Sequence, residues 1–238
     1  MFNKFLVGFG IIFFALASFC FADQRAYVWT YEYMTMPKGK SEVEYYLTTE
    51  LPDNNASNKN TLKHWLEYEY GLTDHWDVAI YQQFLNKNKQ KDRHFKYDGF
   101  KIRTRYRLAE KKTLPLDTLF YLEYKRNSDF SKPNEIEAKL VLAKDIGDFN
   151  LSYNQVLERA LENEGKTDFG YAIGVNRIFS SSFKAGIESK GSYSDKEFLL
   201  GPTIAYRANK FWWSMGVAFG TNHNSDDFQS RLIIGAPF

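Results

Sequence analysis

Apolar and polar residues alternate with a period of two along most of this sequence. Within residues 96–108 every second position is mostly apolar, and the positions between carry four cations, Lys101, Arg103, Arg105 and Arg107. The same alternation occurs in 41–51, 135–144, 168–178 and 197–207. Successive side chains of a strand point to opposite faces, so the pattern predicts β-strands that separate an apolar from a polar environment. The best helix-like fragment, 157–166, is short and polar and is interpreted as a loop.

An antiparallel sandwich and a transmembrane barrel are the two all-β architectures compatible with short alternating strands. The polar faces favour the barrel, because a sandwich core could not bury charges in strand after strand without partners. Aromatic residues form 18% of the chain, and many stand near predicted strand ends, where membrane barrels carry aromatic girdles. These are Trp76, Tyr106, Tyr124, Phe149, Phe183, Phe211 and Trp213.

Twelve alternating segments can be counted back from Phe238. They are 41–51, 61–72, 76–86, 96–108, 114–125, 135–144, 149–158, 168–178, 183–192, 197–207, 211–220 and 228–238. Their connections alternate between short turns and longer polar loops such as 52–60 and 87–95, as in bacterial outer-membrane barrels. The sequence therefore predicts an all-β fold, a twelve-stranded antiparallel transmembrane β-barrel over residues 41–238, set in the lipid of the cell outer membrane of a Gram-negative bacterium.

The residues before the predicted barrel divide into two parts. Residues 1–22 contain one charge, Lys4, then an apolar stretch and a small residue, Ala22, which together predict a cleaved secretory signal peptide rather than a membrane anchor. Cleavage would remove Cys20, the only cysteine, so no disulfide or thiolate site is expected. Residues 23–40 contain a further alternating piece. Because an even strand number leaves it outside the wall, we expect this segment in the lumen or along the periplasmic rim.

The last predicted strand ends on an aromatic residue, Phe238, with apolar residues at every second position before it. This ending resembles the C-terminal signal that the outer-membrane assembly machinery recognises. The resemblance implies that Phe238 lies in the periplasmic aromatic girdle. We therefore expect the assembly machinery as a protein partner and Phe238 as the assembly signal.

Two stretches resemble a family of exported proteobacterial outer-membrane β-barrel proteins. They are "YVWTYEYMTMPKGKSEVEYYL" at 27–47 and "LEYEYGLTDHWDVAIYQQF" at 66–84. The broader group is related to proposed transporters of the phenol-degradation MetA-pathway type, so the resemblance implies a barrel fold and a transport role. The matching residues look structural, since Pro37 and Gly39 suit a turn and Trp76 suits a girdle. The resemblance transfers no catalytic residue and no substrate.

The composition and the histidines give little support to catalysis. Lysines and arginines number 31 against 29 aspartates and glutamates, which leaves no basic footprint for nucleic acid. A lipid-modifying hydrolase is the enzymatic alternative, because outer-membrane phospholipase A carries a Ser-His-Asn site on such a barrel. Asn222, His223 and Ser225 stand together in an outer loop, but polar residues are typical of any such loop. His64 and His75 are assigned to the periplasmic half. We expect no catalytic residue, no metal site and no cofactor.

The inward faces of the predicted strands carry charges that we call the lumen charge ladder. Its members are Lys101, Arg103, Arg105, Arg107, Glu42, Glu44, Glu67, Glu69, Asp117, Glu123, Glu135 and Glu137. Cations two residues apart repel each other, so they must pair with carboxylates of the preceding or the following strands. Paired walls with water between them would form a channel or facilitated transporter for small solutes, whereas a filled lumen would form a closed structural barrel. The sequence names no solute.

Overall fold

Twelve antiparallel strands form one closed barrel. The computed structural model describes residues 24–53, 60–89 and 92–238. The strands are β1 (Ser41–Leu51), β2 (Thr61–Thr73), β3 (Trp76–Lys89), β4 (Asp92–Arg107), β5 (Asp117–Asn127), β6 (Asn134–Ile146), β7 (Phe149–Leu161), β8 (Thr167–Ile178), β9 (Phe183–Ser192), β10 (Glu197–Arg207), β11 (Trp212–Gly220) and β12 (Phe228–Pro237). The predicted twelve-stranded antiparallel barrel is confirmed. The predicted signal peptide, 1–22, lies outside the described residues.

The barrel closes where β1 pairs with β12. The register runs from Glu42 opposite Pro237 to Leu51 opposite Phe228. Beyond the paired residues, the N–H of Phe238 donates to the carbonyl of Ser41 at 2.9 Å. A closed sheet has no free edge, so its backbone N–H and C=O groups are satisfied even where hydrocarbon surrounds the strands.

The outer surface is an apolar belt. Large apolar side chains stay exposed on strands around the barrel, among them Ile80, Ile102, Leu122, Ile187, Leu200, Met215 and Ile234. Exposed aromatic side chains stand near the strand ends, among them Trp76, Tyr106, Phe149, Phe183 and Phe211. Such a belt would be unfavourable in water and is the surface that faces lipid in membrane barrels. The alternate positions point inward, and many of them are buried and polar.

Two predicted loops are shorter than the sequence suggests. The loop predicted at 87–95 is wrong, because β3 continues to Lys89 and β4 begins at Asp92. The first residues of 157–166 also belong to a strand, since β7 ends at Leu161. Backbone pairing requires no apolar side chains once a hairpin extends beyond the membrane, so polarity alone misplaces the strand ends.

Residues 24–36, here called the plug segment, lie inside the barrel and are not a strand of its wall. A turn, residues 37–40, connects the plug segment to β1. Gly71 of β2 packs against this turn, and a Cβ atom there would overlap the carbonyl oxygen of Pro37. Gly39 adopts a φ of 73°, a conformation that favours glycine. Among the described residues, no helix is long and apolar enough to cross a membrane.

Candidate functional site

The plug segment enters the lumen at one end of the barrel and returns to the same end. Met36 donates its N–H to the carboxylate of Asp77, at the start of β3, at 3.0 Å. The carbonyl of Gln24 accepts from Lys184, near the start of β9, at 3.1 Å. Both contacts lie at the strand ends that short turns connect, which face the periplasm in outer-membrane barrels. Between them, residues 28–30 reach the middle of the wall and form the apex of a re-entrant loop.

Glu188 of β9 anchors this apex. Its buried carboxylate accepts three consecutive backbone N–H groups, from Val28 at 2.7 Å, Trp29 at 2.9 Å and Thr30 at 2.8 Å. Successive N–H groups that point to one anion form a concave nest, and hydrogen bonds to a charged acceptor are stronger than neutral ones. This one carboxylate therefore binds all three backbone N–H groups of the apex to the wall.

Small and hydrogen-bonding side chains of the wall fit the rest of the plug segment. The carbonyl of Tyr31 accepts from Ser152 at 2.7 Å and from the amide of Asn154 at 2.9 Å. The side-chain oxygen of Asn154 accepts the N–H of Tyr31 at 2.6 Å. Gly216 leaves room for the apex, because a Cβ atom there would lie only 2.6 Å from Cγ2 of Val28. The lumen of the described barrel is shaped to receive this segment.

Two arginines of the lumen charge ladder lie in a buried ion cluster on β2, β3 and β4. Arg103 lies 2.9 Å from Glu67 and 2.7 Å from Glu69. Arg105 lies 2.6 Å from Asp77 and also contacts Glu69. All five side chains are buried. Because each charge meets an opposite one at hydrogen-bond distance, this part of the wall is cross-linked.

Further ion pairs lie on β4, β5 and β6. They join Lys101 to Glu123 at 2.6 Å, Lys125 to Glu135 at 2.5 Å, and Lys139 to Glu137 at 2.9 Å. The cations of β4 thus pair with preceding strands in the buried ion cluster and with a following strand here. Within the described barrel, Arg107 pairs with carboxylates of neither the preceding nor the following strands. It donates to the hydroxyl of Thr35 in the plug segment at 2.9 Å and to the carbonyl of Asp74.

Three carboxylates of the ladder lie apart from the arginines of β4. Glu42 accepts the indole N–H of Trp212 at 2.7 Å. Glu44 lies 3.7 Å from Arg25 of the plug segment. Asp117 accepts a backbone N–H of the turn before β5 at 2.6 Å. The continuous ladder that the sequence suggests is therefore divided into separate contacts, and one of them ties the plug segment to β1.

Free space in the lumen is distributed unequally between its two ends. Beside residues 34–37, where the plug segment meets the turn at the periplasmic end, a cavity measures about 20 Å³, which is room for about one water molecule. Above the apex, a cavity of about 390 Å³, here called the vestibule, reaches the outer ends of the strands, where Ser192 and Glu197 line it. Cavities of this order hold small ligands. Arg25, Trp29 and Tyr31 of the plug segment line the inner side of the vestibule.

The floor of the vestibule contains three residues that were not selected from the sequence, namely Trp65, Lys190 and Arg231. Trp29 of the plug segment and Trp65 of β2 line it together with two cations, Lys190 of β9 and Arg231 of β12. Lys190 lies 5.4 Å from the centre of the Trp29 ring, and Arg231 lies 5.2 Å from that of Trp65. The alternation of β9 and β12 places both cations on inward positions, which is the signal that could have identified them.

The outer-loop cluster around Ser225 serves the loop itself. The hydroxyl of Ser225 lies 2.8 Å from the side-chain oxygen of Asn222 and 3.0 Å from the carbonyl of Phe198, and it accepts the N–H of Phe198 at 2.7 Å. The assignment of His64 to the periplasmic half is wrong. β2 runs from the outer end inward, so His64 lies near its outer end, 2.7 Å from the hydroxyl of Tyr45.

His75 does lie at the periplasmic end, in the turn between β2 and β3. Its Nε2 is 2.6 Å from the carboxylate of Glu110 in the next turn, and this hydrogen bond lowers the pKa of the exposed Glu110 carboxyl. Among the residues that the structure describes, no group of three or more histidines, cysteines, aspartates or glutamates is arranged to hold a metal ion.

Comparison with known proteins identifies the fold. No family model matches the sequence, and no curated protein matches it significantly. A structure of the KdgM porin is similar with a TM-score of 0.60 and 8% identity, over 83% of this chain and 99% of that chain. The COG4313 outer membrane channel from Pseudomonas putida F1 is similar with a TM-score of 0.56 and 11% identity, over 87% and 98%. The fold is that of the outer-membrane β-barrels.

A second KdgM porin structure, in complex with disordered oligogalacturonate, is similar with a TM-score of 0.58 and 8% identity, over 83% of this chain and 98% of that chain. At these identities the likeness concerns the fold alone. The shared architecture agrees with the apolar belt and with the closure between β1 and β12.

Proposed function

We propose that this protein is an outer-membrane channel or facilitated transporter for small solutes, and that the plug segment gates it. The observation that carries the proposal is a vestibule of about 390 Å³ whose floor is a re-entrant loop held by hydrogen bonds to the wall. A solute that enters from outside meets residues 28–30. Because the loop enters and leaves at the same end, it can withdraw toward the periplasm while the twelve-stranded sheet stays closed.

Two further observations support a transport role. The motif at 27–47, which contains most of the plug segment, resembles that of a family of outer-membrane barrels related to proposed transporters of the phenol-degradation MetA-pathway type. The structures reported above with the same fold are porins and a channel. We propose on this basis that the plug segment takes part in transport and is not merely a functionless segment left after cleavage of the signal peptide.

A closed structural barrel is the second candidate, and the buried ion cluster favours it. Arg103 and Arg105 form ion pairs with carboxylates of β2 and β3, and these pairs link strands of the wall to one another without involving the plug segment. Such a wall remains rigid whether or not the plug segment moves. The two candidates therefore differ in one measurable respect, namely whether displacement of the plug segment opens a path for ions.

A disulfide between the plug segment and the wall separates the candidates. The close approach of Gly216 to Val28 places two introduced cysteines within disulfide reach, and the described residues contain no cysteine. Refolded Val28→Cys/Gly216→Cys protein is measured in planar bilayers. We expect openings under reducing conditions, at least a tenfold loss of them on oxidation, and recovery when reductant is added. The single variants Val28→Cys and Gly216→Cys control for the substitutions and should not respond to oxidation.

The outcomes separate cleanly. Conductance that is unchanged by oxidation, with the disulfide verified by mass spectrometry, would show that the plug segment does not gate the lumen. If the wild type and the reduced double variant both show no openings, the closed structural barrel is the better reading.

Export and assembly complete the proposal. Residues 1–22 would direct the chain out of the cytoplasm, and the outer-membrane assembly machinery would recognise β12 together with Phe238, which follows it. The position of Phe238 beside the seam, where its ring lies 6.2 Å from that of Tyr68, supports a role in closing the barrel.

A further inference from the structure

Five cations line the vestibule, and they fall into two groups. They are Arg25, Lys101, Lys139, Lys190 and Arg231. The first three form ion pairs, with Glu44, Glu123 and Glu137 respectively. Within the described parts of the chain, Lys190 and Arg231 form no ion pair. A cation that is partly buried without a carboxylate keeps part of its desolvation cost uncompensated, so an incoming anion gains more there than at a paired cation.

The groups around Arg231 leave its charge available. Its guanidinium donates to the hydroxyl of Thr48 at 2.9 Å and to the carbonyl of Val28 at 3.0 Å, and both acceptors are neutral. Glu50, the inward carboxylate two residues further along β1, is occupied by Lys63 at 2.6 Å. Hydrogen bonds to neutral acceptors orient the guanidinium without neutralising it.

Aromatic rings stand beside both cations. Lys190 lies 5.4 Å from the centre of the Trp29 ring, while Arg231 lies 6.0 Å from that ring and 5.2 Å from that of Trp65. Cations over ring faces fix the relative placement of charge and flat apolar surface. A ligand that complements this floor carries a negative charge next to a flat ring.

We propose that the vestibule floor binds a small organic carboxylate attached to a ring, with the carboxylate on Lys190 and Arg231 and the ring against Trp29 and Trp65. This deepens the proposed transport function, on which its role as a substrate site rests. A free aromatic acid and a sugar acid share this chemistry, because both place a carboxylate beside a ring that packs on an indole.

Carboxylates on β5, β6 and β7 form an acidic wall of the vestibule. Because this wall attracts cations, a cationic ligand is the main alternative to the proposed carboxylate. The carboxylates of the wall are Glu123, Glu135, Glu137 and Glu158, and all four line the vestibule or the adjoining cavity of about 240 Å³. Lysines bind three of the four: Glu123, Glu135 and Glu137. Glu158 of this wall and Glu197 at the outer end of β10 have no ion pair among the described residues, but neither belongs to the floor. The two unpaired cations therefore concentrate positive charge on the floor, which favours an anion there.

The same floor is connected to the plug segment. Arg231 donates to the carbonyl of Val28 in the apex, and Trp29 belongs to the apex itself. A carboxylate that takes the guanidinium of Arg231 competes with its hydrogen bond to Val28. Binding from the outer side thereby weakens one attachment of the plug segment, which links occupancy of the site to opening of the lumen.

Binding of defined ligands to the refolded full-length barrel in detergent tests the site. Tryptophan fluorescence and calorimetry are recorded with benzoate, galacturonate, benzyl alcohol and benzylamine. We expect benzoate or galacturonate to bind at least tenfold more tightly than the alcohol and the amine, and the better of the two identifies the ring. Alcohol or amine binding as tight as that of both acids, or binding of neither acid, would overturn the proposal.

Substitutions locate the site. Lys190→Gln and Arg231→Gln should each weaken acid binding about tenfold, while Lys210→Gln, which removes an exposed cation in a short turn, should leave it unchanged. Heat-modified gel mobility verifies that each variant is a folded barrel, and Lys190→Gln alone suffices if Arg231→Gln fails to fold. Equal affinity of Lys190→Gln and wild type for the acid would show that the ligand's carboxylate does not bind at Lys190, and would overturn the proposal. These binding measurements do not depend on conductance. Acid binding to a barrel that shows no channel openings would therefore refute the proposed transport function but support the proposed binding site.

Discussion

The carboxylate of Glu188 accepts the backbone N–H of Trp29 at 2.9 Å across a separation of 159 residues in the sequence. The same carboxylate binds the N–H groups on either side, which belong to Val28 and Thr30 of the apex. One side chain of β9 therefore holds three successive backbone groups of the plug segment.

Glu188→Gln should loosen the plug segment. An amide keeps one carbonyl acceptor and replaces the other oxygen by a donor, so it cannot satisfy three N–H groups as the carboxylate does. Loss of one charge-assisted hydrogen bond costs about 2 kcal/mol, which corresponds to a rise of roughly 30-fold in the ratio of open to closed channel. Open probability in planar bilayers measures the effect. Glu162→Gln, in an exposed outer connection, is the matched control, and an equal response of both variants would refute the anchor.

Removal of Arg103 should destabilise the barrel. Arg103→Gln leaves Glu67 and Glu69 buried with less positive charge nearby, and breaking one side of a buried ion pair costs about 3–5 kcal/mol. Urea unfolding in lipid vesicles measures the loss. Arg159→Gln, which removes an exposed arginine hydrogen-bonded to Thr167, should change stability by less than about 0.5 kcal/mol. Similar stabilities for the two variants would mean that the cluster is not buried as described.

A charge on the apolar belt should cost most near mid-membrane. Leu122 lies in the middle of β5 and is 50% exposed on the outer surface, whereas Ile146 is the last residue of β6. Leu122→Lys should destabilise the barrel by about 2–4 kcal/mol and Ile146→Lys by about 0–1 kcal/mol, because the penalty falls toward the interface. Unfolding titrations in vesicles compare the free energies of unfolding of the two variants. A larger loss for Ile146→Lys would contradict the placement of Leu122 near mid-membrane and of Ile146 near the interface.

Deletion of Phe238 should impair assembly while synthesis and export continue. The deletion removes the hydrogen bonds between the backbones of Phe238 and Ser41, as well as the ring contact with Tyr68, at the seam between β1 and β12. The fraction of heat-modifiable, folded barrel in outer-membrane preparations measures the outcome. Phe238→Tyr keeps the backbone and an aromatic ring and should assemble normally. A deletion variant that assembles as well as wild type would contradict the proposed role of this residue as an assembly signal.

The alternation of the sequence determined the fold. Period two with one apolar face in segment after segment admits few architectures, since a barrel in lipid is the one in which charged inner faces and exposed apolar outer faces are both stable. The strand count and the inward direction of Arg103, Arg105 and Glu67 followed from the same periodicity. These properties are local, because each side chain's face depends only on its position along its own strand.

The tertiary structure decided which charges meet and where the lumen is closed. Whether Lys101 pairs with β3 or with Glu123 depends on the register of neighbouring strands and on side-chain reach, which no single strand encodes. The binding of residues 28–30 by Glu188 joins segments about 160 residues apart. Such contacts form only when the barrel closes around the plug segment, so the vestibule and its floor of Trp29, Lys190 and Arg231 are properties of the assembled barrel.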